Sequence, residues 1–351
     1  MTPPKLGWLA WEAAQDSGYA HVSYNYRMAF TNMGVQFANA YKGDYDLLTA
    51  LCTPTHWMVE DYVRTGRVRE PLVLHTMFEA SPLPPGWIEN LNSVGLIWVP
   101  SQYCVDLFRN AGVTRPIVKT PYGIDHAAYE YVDRSHHSGP MRFGIWADIL
   151  HGRKNVLKAV HAFVDAALPD AELEVKLHSF VGMSDATTFA DSQGRPLANI
   201  SIHAGVWPRP KLVKWLHSLD CMIYLSGGEG FGLMPLEAAA TGMTTICHNC
   251  TGMQEYLNPD AFYLVDSDGE EKAMSYTIGH GYPCMMPKPN YEQAVEQIRY
   301  AYQHREETVR RGGLANLVAQ EYTWENAATQ SWEYIKDYYE THIEPFKATT
   351  A

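Results

Sequence analysis

Ser226–Gly242 reads SGGEGFGLMPLEAAATG. It continues the apolar run CMIYLS (Cys221–Ser226), which has the length and composition of a strand buried in a parallel sheet. Glycines then permit a sharp turn at the carboxyl end of that strand and let a ligand approach the main chain. Pro235 sits near the start of the helix that follows, where its missing N–H costs nothing, and Gly242 ends that helix. The unit is therefore strand, glycine turn, helix N-terminus, and a helix N-terminus offers free N–H groups and a positive dipole end to phosphate. Glu229 lies in the turn, read as exposed, and Glu237 about one turn into the helix. A carboxylate accepts two hydrogen bonds from a vicinal diol. Two of them around a phosphate-binding turn suit two sugar-like rings joined by phosphates, the shape of a nucleotide-sugar. The competing reading makes Glu237 a partner of the helix dipole and Glu229 a loop acid.

The same alternation of strand-like and helical segments runs through the 351 residues. In the first part LGWLAW (Leu6–Trp11), PLVLHTM (Pro71–Met77), VGLIWVPS (Val94–Ser101) and PIVKT (Pro116–Thr120) read as strands, and QYCVDLFRNAG (Gln102–Gly112) as a helix stopped by its glycine. Periodicity is lost at 130–140, EYVDRSHHSGP, which reads as a linker. A second alternation then begins at MRFGIWA (Met141–Ala147), passes the polar insert DATTFADSQGRPLAN (Asp185–Asn199), and closes with two amphipathic helices after Tyr291. This predicts an α/β fold of two Rossmann-like domains, 1–135 and 136–327, with a last helix, 328–351, crossing back to the first. A cleft between two such halves is the default ligand site.

Composition limits the function classes. The chain carries a net charge of −12, which argues against bulk electrostatic attachment to nucleic acid or anionic membrane. Its densest basic run, Arg64–Glu70, carries its own acid and reads as a solvated face. No eighteen-residue apolar stretch exists and the N-terminus lacks a signal-peptide pattern, so the expectation is a cytoplasmic protein without membrane insertion. Of six cysteines only Cys247 and Cys250 are close, in CHNC. A zinc site needs a second ligand pair, so this stretch reads as a buried strand end.

EGFGLMPLEAAATG resembles the E-x7-E signature of retaining glycosyltransferases of the GT-B fold, family 4 in particular. SGYAHVSYNYRMAFTNMGV resembles that family's first glycine loop and helix, TPYGID its turn before the interdomain linker, GRKNVLKAVHAF its basic stretch, TGMQEYL its loop beside the donor, and YTWENAATQSWEYI its closing helix. The likeness covers nearly the whole chain. It implies that Glu229 contacts the donor sugar and Glu237 the ribose hydroxyls. By the same likeness Gly230, Phe231, Gly232 and Leu233 line the sugar and phosphate. Lys154, with Arg153, holds the diphosphate, Gly18 closes on the phosphate, and Thr251 and Gly252 flank the donor. Where family members carry a Gly-Arg pair ahead of the lysine, this chain has Ala147 and Asp148, leaving Arg153 to take that charge. The family's first-domain histidine has no clean match; His75, at a strand end, and Glu79, on the next loop, are the acceptor-side candidates.

The expected activity is metal-independent retaining transfer of a hexose from a nucleoside-diphosphate sugar, a UDP-sugar first among donors, to a hydroxyl acceptor. No cofactor is implied. Cations and N–H dipoles at the leaving phosphate do the work a metal would do, and the D-x-D at Asp266–Asp268 reads as a surface turn. The acceptor is expected to be soluble: a small molecule, a saccharide, a protein or a modified base in nucleic acid. The alternatives are a nucleotide-sugar epimerase or hydrolase, and a non-catalytic nucleotide-sugar binding module.

Overall fold

The computed structural model describes residues 3–10, 18–41, 43–55, 59–61, 72–147, 152–178, 199–273 and 282–345. The chain forms two compact units: Met1–Phe78 with Pro82–Gly123 and Tyr322–Ala351, and Glu79–Ser81 with Ile124–Glu321.

Unit 1 is built on six parallel strands, β1 (Leu6–Ala10), β2 (Phe37–Asn39), β3 (Leu47–Leu51), β4 (Leu72–His75), β5 (Leu96–Val99) and β6 (Ile117–Lys119), in the order β2-β1-β3-β4-β5-β6. Helices α1 (Gly18–Asn32), α2 (Trp87–Leu91) and α3 (Gln102–Asn110) connect them. The central strands β3, β4 and β5 are buried at every position, as parallel strands covered on both faces must be.

Unit 2 has a second six-stranded parallel sheet of β7 (Met141–Ala147), β8 (Ala171–Leu177), β9 (Ile200–His203), β10 (Cys221–Tyr224), β11 (Thr244–His248) and β12 (Tyr263–Val265). Their order is β12-β11-β10-β7-β8-β9. An antiparallel pair, β13 (Ser267–Lys272) and β14 (Met285–Pro289), stands apart from it, and Ser81 bridges to Met285. The helices are α4 (Val156–Ala166), α5 (Arg209–His217), α6 (Leu233–Ala240), α7 (Tyr291–Gln303) and α8 (Arg305–Gln320). A last helix, α9 (Trp324–His342), belongs to unit 1, where Trp324 meets Tyr26 of α1 edge to face, ring centroids 5.2 Å apart.

The two alternating halves are thus present, with these corrections. Three helices follow Tyr291 rather than two: His304 and the stretch 321–323 break the expected pair. Asp266–Asp268 is not a turn but the approach to and first residues of β13. Asp268 pairs with Lys288 at 3.3 Å, and Asp266 exchanges hydrogen bonds with the Gln293 side-chain amide, donating its N–H to Oε1 and accepting from Nε2. The units change over at Gly123–Ile124 and Glu321–Tyr322. The polar stretch read as a linker packs on unit 2, where Arg134 donates to the carbonyls of Leu216, Leu219 and Thr241 and to the Thr241 hydroxyl. Arg64–Glu70, Asp148 and most of the polar insert lie outside the described residues. Among the described residues no helix is long and apolar enough to cross a membrane, and all six cysteines are buried free thiols.

Candidate active site

In unit 2 the chain leaves β7 toward β8 and β9 on one side, and later leaves β10 toward β11 and β12 on the other, while β7 and β10 are neighbours. The loops at their carboxyl ends therefore diverge and open a crevice between them. The turn Gly152–Lys154 follows β7 and the glycine turn follows β10, so residues 75 positions apart meet there. Bonds involving main-chain carbonyls tie the two turns together. Gly227 N–H donates to the Arg153 carbonyl at 2.7 Å, and the Arg153 guanidinium to the Gly228 carbonyl at 2.5 Å. Asn155 Nδ2 donates to the Leu225 carbonyl at 3.0 Å. Asn155 reaches it from a left-handed backbone conformation (φ 50°), which asparagine tolerates better than most residues.

Glu229 is the centre of this junction. Its Oε1 accepts from Lys154 Nζ (2.6 Å), Arg153 Nη1 (2.7 Å), the Tyr224 hydroxyl (2.8 Å) and the Ser226 hydroxyl (2.6 Å). Its Oε2 takes none of these bonds. The expectation that Glu229 is exposed is corrected: only 5% of its surface remains, because these donors cover it. Burial alone would push its carboxyl up. The Arg153 and Lys154 charges and the bonds from Lys154 and Ser226 outweigh it and hold Glu229 well below the usual carboxylate range. Lys154 also donates to Tyr224 at 2.6 Å. Burial pushes the Lys154 ammonium down against the pull of Glu229. Arg153 is held up despite burial, because Glu229 and Glu79 both face it. Glu79 pairs with Arg153 at 3.2 Å, and burial pushes its carboxyl up against that charge. Two carboxylates on shared cations are driven apart in acidity, leaving Glu229 the firmly ionised one.

The 3-10 turn Thr251–Glu255 grips Glu229 from behind. Thr251 Oγ1 accepts from the Glu229 N–H at 3.0 Å, and Gly252 N–H donates to the Glu229 carbonyl at 2.9 Å. Thr251 does so from a left-handed conformation (φ 51°), a strain of about 1 kcal/mol or more that the surrounding structure sustains. A Cβ on Gly252 would overlap the Gly230 carbonyl, so only glycine allows this approach. Gly232 caps α6 at φ 87°, with Leu233 opening the helix; Tyr256 donates to the Gly232 carbonyl at 2.5 Å and packs on Phe231. Inside α6, Glu237 Oε1 accepts from the Tyr129 hydroxyl at 2.8 Å. The Arg209 guanidinium lies 5.3 Å over the Tyr129 ring. Burial raises the Glu237 carboxyl to about 7, against the lowering effect of Tyr129 and Arg209.

Of the residues singled out from sequence, Glu229, Arg153, Lys154, Glu79, Thr251 and Gly252 converge, and Gly230, Phe231, Gly232 and Leu233 form the turn from Glu229 toward Glu237. Gly18 and His75 belong to unit 1. Gly18 is the first residue of α1, and a Cβ there would meet nothing within 4 Å. His75 is fully buried, stacked on Tyr122 and bonded to its hydroxyl at 3.1 Å. Burial lowers its imidazole to about 3. Sequence reasoning missed Tyr129, Tyr224, Ser226 and Asn155. Ser226 and Tyr224 sit inside the quoted strand end, so a search for donors flanking the glycine pair would have found them; nothing local marks Tyr129. Among the described residues no group of His, Cys, Asp and Glu is arranged to hold a metal ion.

Residues 149–279 match the family described as Glycosyl transferases group 1. The match is confined to that stretch of unit 2. It contains Arg153, Lys154, Glu229, Glu237, Thr251 and Gly252. A curated relative, the D-inositol 3-phosphate glycosyltransferase of Paenarthrobacter aurescens (strain TC1), is 28% identical over 205 residues; the alignment covers 55% of this chain and 45% of the relative. The chain thus spans less than half of that protein's length. Two solved structures share the fold. HepE of Anabaena, in complex with UDP and glucose, is 14% identical, covering 95% of this chain and 100% of HepE with a TM-score of 0.70. The sucrose-phosphate synthase of Thermosynechococcus elongatus is 15% identical, covering 86% and 76% with a TM-score of 0.65. The chain has the GT-B fold of two parallel-sheet, Rossmann-like domains.

Proposed function

We propose that the chain is a retaining glycosyltransferase that moves a hexose from a nucleoside-diphosphate sugar, first a UDP-sugar, to a hydroxyl acceptor without a divalent metal. One observation carries the reading: Arg153, Lys154 and Glu229 meet where the β7 and β10 loops diverge, with Glu229 Oε2 left out of the ion pairs. Lys154 and Arg153 take the diphosphate, Glu229 accepts from a sugar hydroxyl and Glu237 from the ribose. The bond from the anomeric carbon to the β-phosphate oxygen breaks. The acceptor oxygen bonds to the same face of that carbon, and its proton passes to the departing phosphate. Lys154, Arg153 and the N–H groups opening α6 stabilise the negative charge that grows there, which is the role a metal would otherwise fill. The UDP and glucose of the HepE structure and the glycosyltransferase name of the curated relative support this donor class. The acceptor we assign to the soluble hydroxyl compounds of the cytoplasm.

The test is nucleotide release by the purified chain and by Glu229→Ala from UDP-, GDP-, ADP- and TDP-sugars, with and without EDTA. Release from one donor that resists EDTA and is lost in the variant is the expected result, and anomeric analysis of the product then reads retention. Release abolished by EDTA would remove the metal-free mechanism. Donor turnover that never labels an acceptor would favour the epimerase or hydrolase, and binding without turnover the binding module.

A further inference from the structure

The close cysteine pair Cys247–Cys250 brackets a histidine that the donor site as described does not use. We propose that His248 is a positioning residue for Glu229, acting through the Ser226 peptide and locked from its far side by the β13–β14 pair. The inference rests on the donor-site reading above.

His248 is the last residue of β11 and has no exposed surface. Its Nδ1 lies 2.9 Å from the Ser226 carbonyl and its Nε2 2.9 Å from the Ser267 hydroxyl, the first residue of β13. A carbonyl oxygen only accepts, so Nδ1 carries the proton, and Nε2 is left to accept from Ser267. The two bonds together fix both tautomer and ring orientation. Burial, opposed by the bond to Ser226, lowers the imidazole to about 4, so the ring is neutral near pH 7. Cys250 Sγ is a second, weaker donor to the same carbonyl at 3.5 Å and lies 3.3 Å from Nδ1, while Cys247 Sγ lies 3.7 Å from Met253 Sδ.

The peptide so held is the one on which the site hangs. The Ser226 hydroxyl donates to Glu229 Oε1, and the next N–H, of Gly227, holds the Arg153 carbonyl. Rotating the Ser226 peptide would displace Glu229 and the Arg153 backbone together. The ribose contact assigned to Glu237 hangs instead on Tyr129 and α6. Loss of the His248 donor is therefore expected to act on the chemical step more than on nucleotide binding.

The test compares full-length wild type, His248→Leu, His248→Asn and Ser267→Ala for kcat, for donor KM and for the Kd of the nucleoside diphosphate the wild type releases. Asparagine puts an amide N–H where Nδ1 lies; leucine fills the volume without a donor. His248→Leu is expected to lower kcat about tenfold or more while Kd moves less than about twofold, and His248→Asn to recover most of that loss. Ser267→Ala, an exposed position, is expected to lower kcat about two- to threefold at constant Kd. An unchanged kcat in His248→Leu, or a His248→Asn as impaired as His248→Leu, would overturn the proposal, the second by showing a packing role alone. Should His248→Leu show no cooperative thermal transition, Ser267→Ala decides: constant kcat overturns, a fall at constant Kd supports. A wild type that turns over no donor sinks the donor-site reading, and this inference with it, before any variant is compared.

Discussion

Glu229 and Glu237 are eight positions apart and equally buried, yet their acidities move in opposite directions. Two cations face Glu229; Glu237 has a phenol and the more distant Arg209, so burial prevails and its carboxyl stands near 7. In the proposed donor complex only the ionised form of Glu237 would accept from both ribose hydroxyls. Nucleotide-sugar affinity is therefore expected to weaken about eightfold from pH 7.5 to 6, and to flatten in Glu237→Gln. Calorimetric titration with an intact nucleotide-sugar reads this cleanly, since its diphosphate does not titrate in that range. The same raised value sets a stability slope of opposite sign. The folded chain keeps a proton that the unfolded carboxyl gives up, so this stabilisation is full at low pH and is lost as pH rises through 7. The glutamate pair was legible because glycine spacing marks a turn and helix start in one short stretch. Tyr129 was not, because its contact with Glu237 spans 108 positions and no local pattern encodes it.

At the scale of the element, α6 starts from a left-handed Gly232, while α1 starts from Gly18 with open space around it. The two glycines should respond differently to one methyl group. Gly232→Ala meets Met253 Cγ at 2.6 Å and a conformation costing about 1–2 kcal/mol, so both melting temperature and turnover should fall. Gly18→Ala should leave stability within about 0.5 kcal/mol and raise only the donor KM. Thermal denaturation beside donor kinetics separates them. Strand β10, the glycine turn and α6 were readable because strand length, glycines and proline agree there. Strand β3, LLTAL at Leu47–Leu51, is not legible, since a five-residue run dominated by leucine and alanine, with Thr49 its one β-branched residue, fits a helix as well as a strand. The β13–β14 pair was hidden for the opposite reason. SDGEEK is exposed at nearly every position, and twelve residues separate it from its partner strand.

Over the whole molecule, alternation along the chain foretold two parallel sheets, but not which loops would meet. That depends on strand order, and it is the reversal of direction beside β7 and β10 that brings Arg153 and Lys154 to Glu229. The stretch 130–140 likewise reads as a linker because it is polar and without periodicity, although its Arg134 is 3% exposed and spent on the carbonyls of unit 2. Arg134→Met would leave those carbonyls without their donor, and scanning calorimetry should show the unit 2 transition destabilised by about 3–5 kcal/mol. The junction itself sets two carboxylates, Glu79 and Glu229, against two cations, Arg153 and Lys154, within a chain of net charge −12. Arg153 and Lys154 are thus paired within the junction rather than presented as a free positive patch, and the chain around them is net negative. An anionic donor is then not drawn in from afar; it arrives by diffusion against a mildly repulsive surface and exchanges partners only on contact. Added salt, which slows capture wherever a positive funnel guides the ligand, should leave this association rate unchanged or raise it slightly, and stopped-flow measurement across ionic strengths would read the sign directly.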